Sequence, residues 1–560
     1  MWNAKVGRLL PVVLAAVGVA LAGAVTEARS SPAAGPLKIK VAWGAPSVAP
    51  ANPQVDAARL KQALDAARRR DPVQARSLAA LLADPVARKI VDWALVDIMA
   101  DQMSAADLQA AIGRLGDWPR ADARQKALAR AQSAQAPGPI PYTALTDRQD
   151  AADMQATAGG AYRSRRLQMN DALRRGAARE AYAAISQHGQ PAGSMTYAEG
   201  EAFAGWLALD KLHDPALAEQ HFARLDAAVT SPVSKARAAY WRGRAAEAAG
   251  DRARAQTFYE QGAAYSTTFY GQLAAQKAGR REIVLVPDPS PSARDRSSFD
   301  DAELTRAIRL LAAARERGLL RVFALYYGGQ VQSRAELALL VDELKAMDEQ
   351  EAALLAYRRG AQQGFILHER GYPLVTPPAV PGGAEPALVL AVIRQESQFD
   401  PRVRSSADAR GMMQLLPSRG RLVAREMGVD WSEDLLWDAR SNMRLGSWYL
   451  GQLAQDFNGS YVLAVAAYNA GPNRPPQWIQ FCGDPRSSSV DPIDFIECIP
   501  FGETRDYVMN VMANYQVYQA RLNGGRAPLR AEASLRAVRQ GAWPPARAAS
   551  SAAERPAPGT

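Results

Sequence analysis

From about Pro53 to Gly279 the apolar positions recur at helical spacing between short turn signals, which predicts a run of amphipathic helices with almost no strand. Part of this run repeats. Asp214-Pro215 opens one predicted helix carrying Ala218 and Phe222, and Asp251 opens another carrying Ala255 and Tyr259, with every offset 37 residues. Each follows a further helix, at 203–212 and 236–249, so the unit is helix, capped turn, helix, and a superhelix of stacked pairs is expected over 54–286. Trp206, Tyr240, Trp241, Phe258 and Tyr259 are expected in the core between these helices.

A Pro/Ser/Asp-rich stretch at 287–298 predicts a linker, after which helical pattern resumes as a helical linker domain over 299–371. A second break, rich in Pro and Gly, spans 372–383 and precedes a predicted domain at 384–523. The first helix of that domain begins at Pro386, and Leu388, Val392, Glu396 and Phe399 share one stripe. Glu396 thus stands where a Leu is expected. Burial disfavours the ionised form, so such a glutamic acid can remain a proton donor near neutral pH. The alternative is a structural pairing of Glu396 with Arg394 or Arg404 at the edge of the stripe.

The chain ends read differently. A basic start with Lys5 and Arg8, an apolar run at 9–25 and small residues at Ala22, Gly23 and Ala24 predict a cleaved signal peptide over 1–28, followed by a Pro/Ala-rich leader at 29–53. No later segment is apolar enough for a membrane span, so the mature chain is expected to be exported to the periplasm, without a transmembrane segment and soluble or loosely wall-associated. The Pro/Ala/Arg-rich segment 524–560 lacks periodicity and is expected to be disordered. The formal net charge of +10 is dispersed along helices without basic blocks interleaved with aromatics, which argues against a nucleic-acid partner. In an oxidising compartment Cys482 and Cys498 are expected to pair, the other reading being two buried thiols; the bridge would be worth about 3 kcal/mol by loop entropy.

All four histidines, His188, His213, His221 and His368, precede the second break. Histidine-dependent nucleophilic systems and histidine zinc sites are thereby excluded from 384–523, leaving carboxylates, amides and hydroxyls as tools. Glycosidic-bond chemistry through Glu396 is the leading class, with neither metal nor cofactor expected.

Four blocks carry a resemblance: RQESQFDPRV at 394–403, ARGMMQLLP at 409–417, AYNAGP at 467–472 and IPFGETRDYV at 499–508, with Asn442, Gly446, Tyr449 and Leu450 as a weaker fifth. In order and spacing they resemble the soluble lytic transglycosylases, peptidoglycan enzymes with a lysozyme-like catalytic domain behind a helical superhelix. The period and the Ala-x-x-x-aromatic spacing of the N-terminal repeats resemble tetratricopeptide-like pairs. The resemblance implies an all-α fold and a lytic transglycosylase acting on peptidoglycan glycan strands, leaving 1,6-anhydro-muramyl ends. It implies Glu396 as acid and then base, with Ser397 completing a Glu-Ser pair. It places Ser405, Met413 and Gln414 along the sugar groove, Tyr468 and Asn469 on the loop facing the glutamate, and Glu503 and Arg505 at the closing segment. Cell-wall synthesis or secretion proteins stay open as partners. Two departures stand out: Ser405-Ser406-Ala407-Asp408 lacks the family's turn proline and glycine, and Pro472-Asn473-Arg474-Pro475-Pro476 replaces a commonly glycine-containing turn. The rivals are a hydrolytic muramidase using Asp400, Asp408 or Glu503 to activate water, and an envelope scaffold that only grips glycan.

Overall fold

The computed structural model describes residues 53–133 and 147–536. The expected signal peptide, the leader before Pro53 and the tail from 537 onward lie outside them. Among the described residues the chain is all-α apart from two three-residue strands, Glu282–Val284 and Arg526–Pro528, paired antiparallel with Ile283 opposite Ala527.

Compactness groups the helices differently from chain order. One unit joins residues 53–133 to 289–360; the other joins 157–288 to the residues from 361 onward. The first unit packs Pro85–Met99 and Arg317–Gly328 around an aromatic centre, Phe323 meeting Trp93 edge-on at 5.1 Å and Trp118 at 5.3 Å. Its buried Glu316 is neutralised by Lys61 and Arg68. The stretch at 287–298, expected to be a linker, already starts a helix at Ala293, because Ser292 and Asp295 cap each other's backbone.

The second unit holds the repeats. Asp214 accepts a hydrogen bond from the Leu217 amide at 2.9 Å and Asp251 from that of Arg254 at 3.0 Å, so both helices start where the capping residues predict. A glycine in each preceding helix completes the repeat. A β-carbon added to Gly205 would lie 2.5 Å from the Phe222 ring, and one on Gly243 2.4 Å from the Tyr259 ring. In both pairs the aromatic residue therefore lies against bare backbone, which a side chain would push away.

Two expectations change here. The helix Pro386–Glu396 is buried on every side from Ala387 to Ile393, as befits a helix apolar all round, rather than along one stripe. Within the segment 524–560, expected to be disordered, the described residues are ordered: Arg526–Pro528 pairs with Glu282–Val284 and Ala531–Arg536 forms a further helix. This segment is held by backbone pairing across the chain and by the docking of Leu535, 1 % exposed, which leave no periodic signature.

Candidate active site

The acid helix ends at Glu396 because the backbone turns sharply after it. Ser397 donates its hydroxyl to the Ile393 carbonyl at 3.3 Å and accepts from the Phe399 amide at 3.2 Å, while Gln398 and Phe399 take left-handed backbone, φ 54° and 67°. The Glu-Ser pair thus has a mechanical meaning: the serine fixes the exit that leaves the glutamate at the helix end. Asp400 continues the turn by accepting from the Arg402 amide at 2.9 Å.

Glu396 keeps some exposure to solvent but is closely surrounded. Burial pushes its carboxyl up to about 7, against a hydrogen bond from Tyr507 that favours the charged form, and the nearby Glu503 carboxylate adds to the rise. The Tyr507 hydroxyl donates to Glu396 Oε1 at 2.6 Å. Glu503 and Tyr507 are four residues apart in the helix Gly502–Leu522, so one face of that helix addresses the acid. Tyr507 lies inside the IPFGETRDYV block but was not singled out from sequence; its spacing from Glu503 is the signal that could have found it.

Tyr468 stands across from this face. Its hydroxyl donates to the Met413 carbonyl at 2.7 Å, and burial together with the Glu396 and Tyr449 charges holds its own proton firmly. Asn469 accepts from the Thr504 hydroxyl at 2.7 Å, joining the AYNAGP loop to the first turn of the closing helix. Ser405, half-buried, accepts from the Ala409 amide at 3.0 Å.

Three residues expected to bind the glycan make structural contacts. Met413 is fully buried over Gly446, whose added β-carbon would lie 2.5 Å from the sulfur. Gln414 spends its amide on the Val403 and Gly411 carbonyls, both at 2.9 Å, and so shapes the loop. Arg505 is 3 % exposed and makes an ion pair with Glu199 at 3.1 Å, with its guanidinium 4.7 Å from the Phe203 ring. Only one of its nitrogens is hydrogen-bonded, Nε and Nη1 being buried without a hydrogen bond, so its charge rests on the nearby carboxylates of Glu199 and Asp506. Asn442, fully buried, locks the same loop by donating to the Arg410 and Leu436 carbonyls and accepting from the Met413 amide at 2.7 Å.

The Ser405-Ser406-Ala407-Asp408 departure is absorbed locally. Asp408 itself takes the left-handed conformation, φ 66°, that a glycine would hold. Hydrogen bonds from Arg410 and Arg404 draw its carboxyl down to about 2, so it stays ionised and engaged. Asp400 is likewise paired, with Arg402 at 2.8 Å. Of the carboxylates weighed as water activators, only Glu503 acts on Glu396 directly.

Cys482 and Cys498 are joined in a disulfide that ties the end of the helix Arg474–Cys482 to that of Pro492–Cys498. Beside it the buried Glu497 accepts from Arg237 at 2.5 Å and from Tyr270, anchoring this segment to the repeat helices. A separate cavity of about 270 Å³, lined by residues including Asp210, Arg244 and Asp494, includes none of the residues around Glu396, and its charges have partners in Lys211, Asp491 and Trp206.

All-α apart from one short strand pair among the described residues, the chain presents in its C-terminal part a glutamic acid with a raised pKa, hydrogen-bonded by Tyr507 and electrostatically coupled to Tyr468, which defines a candidate acid/base site on a helical scaffold. Residues 378–487 match the Transglycosylase SLT domain, and 498–526 match the soluble lytic transglycosylase helical domain, bearing out the resemblance to the soluble lytic transglycosylase family. The second match falls on the closing helix rather than on the N-terminal repeats. The chain is 40% identical over 141 residues to a putative soluble lytic murein transglycosylase of Haemophilus influenzae, covering 24% of this chain and 23% of the relative. It is 29% identical over 279 residues to the soluble lytic murein transglycosylase of Escherichia coli K12, covering 47% of this chain and 40% of the relative. The chain therefore spans less than half the length of these relatives. A solved structure of an inactive variant of lytic transglycosylase Slt from Pseudomonas aeruginosa superposes with a TM-score of 0.51 at 23% identity, covering 84% of this chain and 74% of that one, and supports the fold.

Proposed function

We propose that the chain is a peptidoglycan lytic transglycosylase that cleaves the β-1,4 bond from N-acetylmuramic acid to N-acetylglucosamine without water. The observation that carries this reading is Glu396, a carboxyl raised to about 7 and oriented by Tyr507, while Asp400 and Asp408 are committed to arginines. Protonated Glu396 gives its proton to the glycosidic oxygen; the C1–O bond breaks, and the substrate's N-acetyl oxygen bonds to C1. The Glu396 carboxylate then takes the proton of the muramyl 6-hydroxyl, whose oxygen closes onto C1 and displaces the acetyl oxygen. The product is a 1,6-anhydro end, the proton is back on Glu396, and no water is consumed. Inverting hydrolysis instead needs a second carboxylate placed for water.

Tyr468 and Asn469 would line the glycan beside the reacting bond, with Ser405 and Glu503 at the groove edges. The repeat helices would hold a strand beside the site. Action in the periplasm follows from the expected signal peptide, and no described helix is long and apolar enough to cross a membrane. Mass analysis of digested sacculi is the test: anhydro-muramyl ends support the reading, and hydrated reducing ends with Glu503 essential would replace it with a hydrolytic muramidase.

A further inference from the structure

The arginines around the Glu396 loops are almost all occupied: Arg402 by Asp400, Arg404 by Asp408, Arg410 by Asp408 and Glu433, and Arg505 by Glu199. Arg419 is different. It is half-buried, forms no hydrogen bond or ion pair with any described residue, and lies with its guanidinium 4.7 Å above the Tyr449 ring. It sits in the first turn of the helix Pro417–Glu426, where no acidic residue accompanies it and where a cation meets the positive end of the helix dipole. Only the Tyr449 ring favours a charge there; no described carboxylate pairs with it, and the helix end opposes it.

Its surroundings lead to the acid. The Tyr449 ring lies 5.5 Å from that of Tyr468, so the guanidinium is within roughly 10 Å of the Tyr468 ring, whose hydroxyl feels the Glu396 charge. With its guanidinium over the Tyr449 ring and no hydrogen bond to a described residue, Arg419 keeps its donors available to a carboxylate. We propose that Arg419 is a specificity-determining residue that binds a carboxylate carried by the glycan strand at the Glu396 site. This rests on the glycan-cleaving reading of that site. The carboxylate is either one on a stem peptide or the lactyl carboxylate of a muramyl residue without its stem.

The experiment measures sedimentation binding of the full chain carrying Glu396→Gln, with and without Arg419→Gln or Arg419→Lys. The probes are intact sacculi, sacculi whose carboxylates are amidated by carbodiimide, and strands stripped of stems by an amidase. The expected result is that Arg419→Gln weakens binding to intact sacculi about tenfold, as loss of a charge-assisted fork does. Arg419→Lys should recover part of it, and amidation should abolish the difference between the proteins. A defect confined to stem-bearing sacculi assigns the stem carboxylates, and one that persists on stripped strands assigns the lactyl group. Equal binding of both proteins to every probe, or an equal defect on amidated sacculi, overturns the proposal. Failure of the unsubstituted protein to release muropeptides, with this binding difference intact, would overturn the cleavage reading and leave the Arg419 contact standing.

Discussion

Tyr507 and Glu396 come from helices more than a hundred positions apart in the chain, yet the tyrosine hydroxyl donates to the carboxylate at 2.6 Å, and it favours the charged form that burial opposes. The two influences set the working range of the acid. A donor that must be protonated loses activity as pH rises through its pKa, so turnover should fall on the alkaline side from about pH 7. Tyr507→Phe removes the contact that lowers that pKa. The alkaline limb of kcat should move to higher pH, with kcat reduced about tenfold as a well-oriented acid becomes a looser one. An unmoved limb in a pH profile would show that Tyr507 does not govern Glu396.

Glu396→Gln should cost 10²-fold to 10⁴-fold or more in turnover, the scale of a general acid and base, while sacculus binding persists. Retained turnover would remove Glu396 from the mechanism.

The same substitution has a signature in stability. The folded carboxyl titrates near 7 against 4.5 for the ordinary group, so the native state holds its proton more tightly than the unfolded chain. Native stability is fully supported below pH 4.5, declines as pH rises to about 7, and is flat above. Glu396→Gln escapes this decline. It should be more stable than the unaltered protein by up to about 3 kcal/mol at pH 8 and not at pH 4, measured by denaturant unfolding at both.

The disulfide closes a segment of 16 positions between Cys482 and Cys498. Replacing both with alanine should cost about 3 kcal/mol, read as a lower denaturant midpoint that reductant no longer shifts. A midpoint equal to that of the oxidised protein would mean that Glu497, bound to Arg237 and Tyr270, already fixes the segment.

The fold class and the unusual position of Glu396 were legible in the sequence because each rests on local signals: helical spacing, aspartate caps before prolines, and contiguous motif blocks. What escaped was set by contacts between distant segments. The partner of Arg505 is Glu199, on a repeat helix, and nothing near Arg505 announces it. Gly205 and Gly243 serve the repeat through the rings they admit, so they carry no hydropathy. The strand at Arg526–Pro528 is defined by its partner at Glu282–Val284, and a three-residue strand has too few alternations to read. Met413 and Gln414 sit in a motif block, but only the structure shows that one packs on Gly446 and the other ties down backbone.

Glu199 offers the sharpest test of that hidden coupling. Its carboxylate receives Arg505 at 3.1 Å and the Tyr162 hydroxyl at 3.0 Å, with Arg166 at 3.8 Å, and these positive charges hold it ionised against its burial. Glu199→Ala leaves Arg505, 3 % exposed, without the carboxylate it hydrogen-bonds, Asp506 remaining as an ion-pair contact at 3.4 Å. Stranding a buried charge costs about 3 to 5 kcal/mol; the 29% exposure of the Glu199 side chain puts the expected loss near the lower figure. Glu199→Leu combined with Arg505→Met replaces the pair by apolar volume and should recover most of that loss, which calorimetry of the four proteins would show as a positive coupling. Because Arg505 lies one residue from Thr504 and two from Tyr507, the single variant should also loosen the turn that carries them. Activity should then fall further than stability alone accounts for at a temperature where the variant is fully folded, and the alkaline limb should shift in the direction seen for Tyr507→Phe. A variant that melts earlier but keeps both its turnover and its pH profile would confine Glu199 to packing and detach the repeat helices from the chemistry.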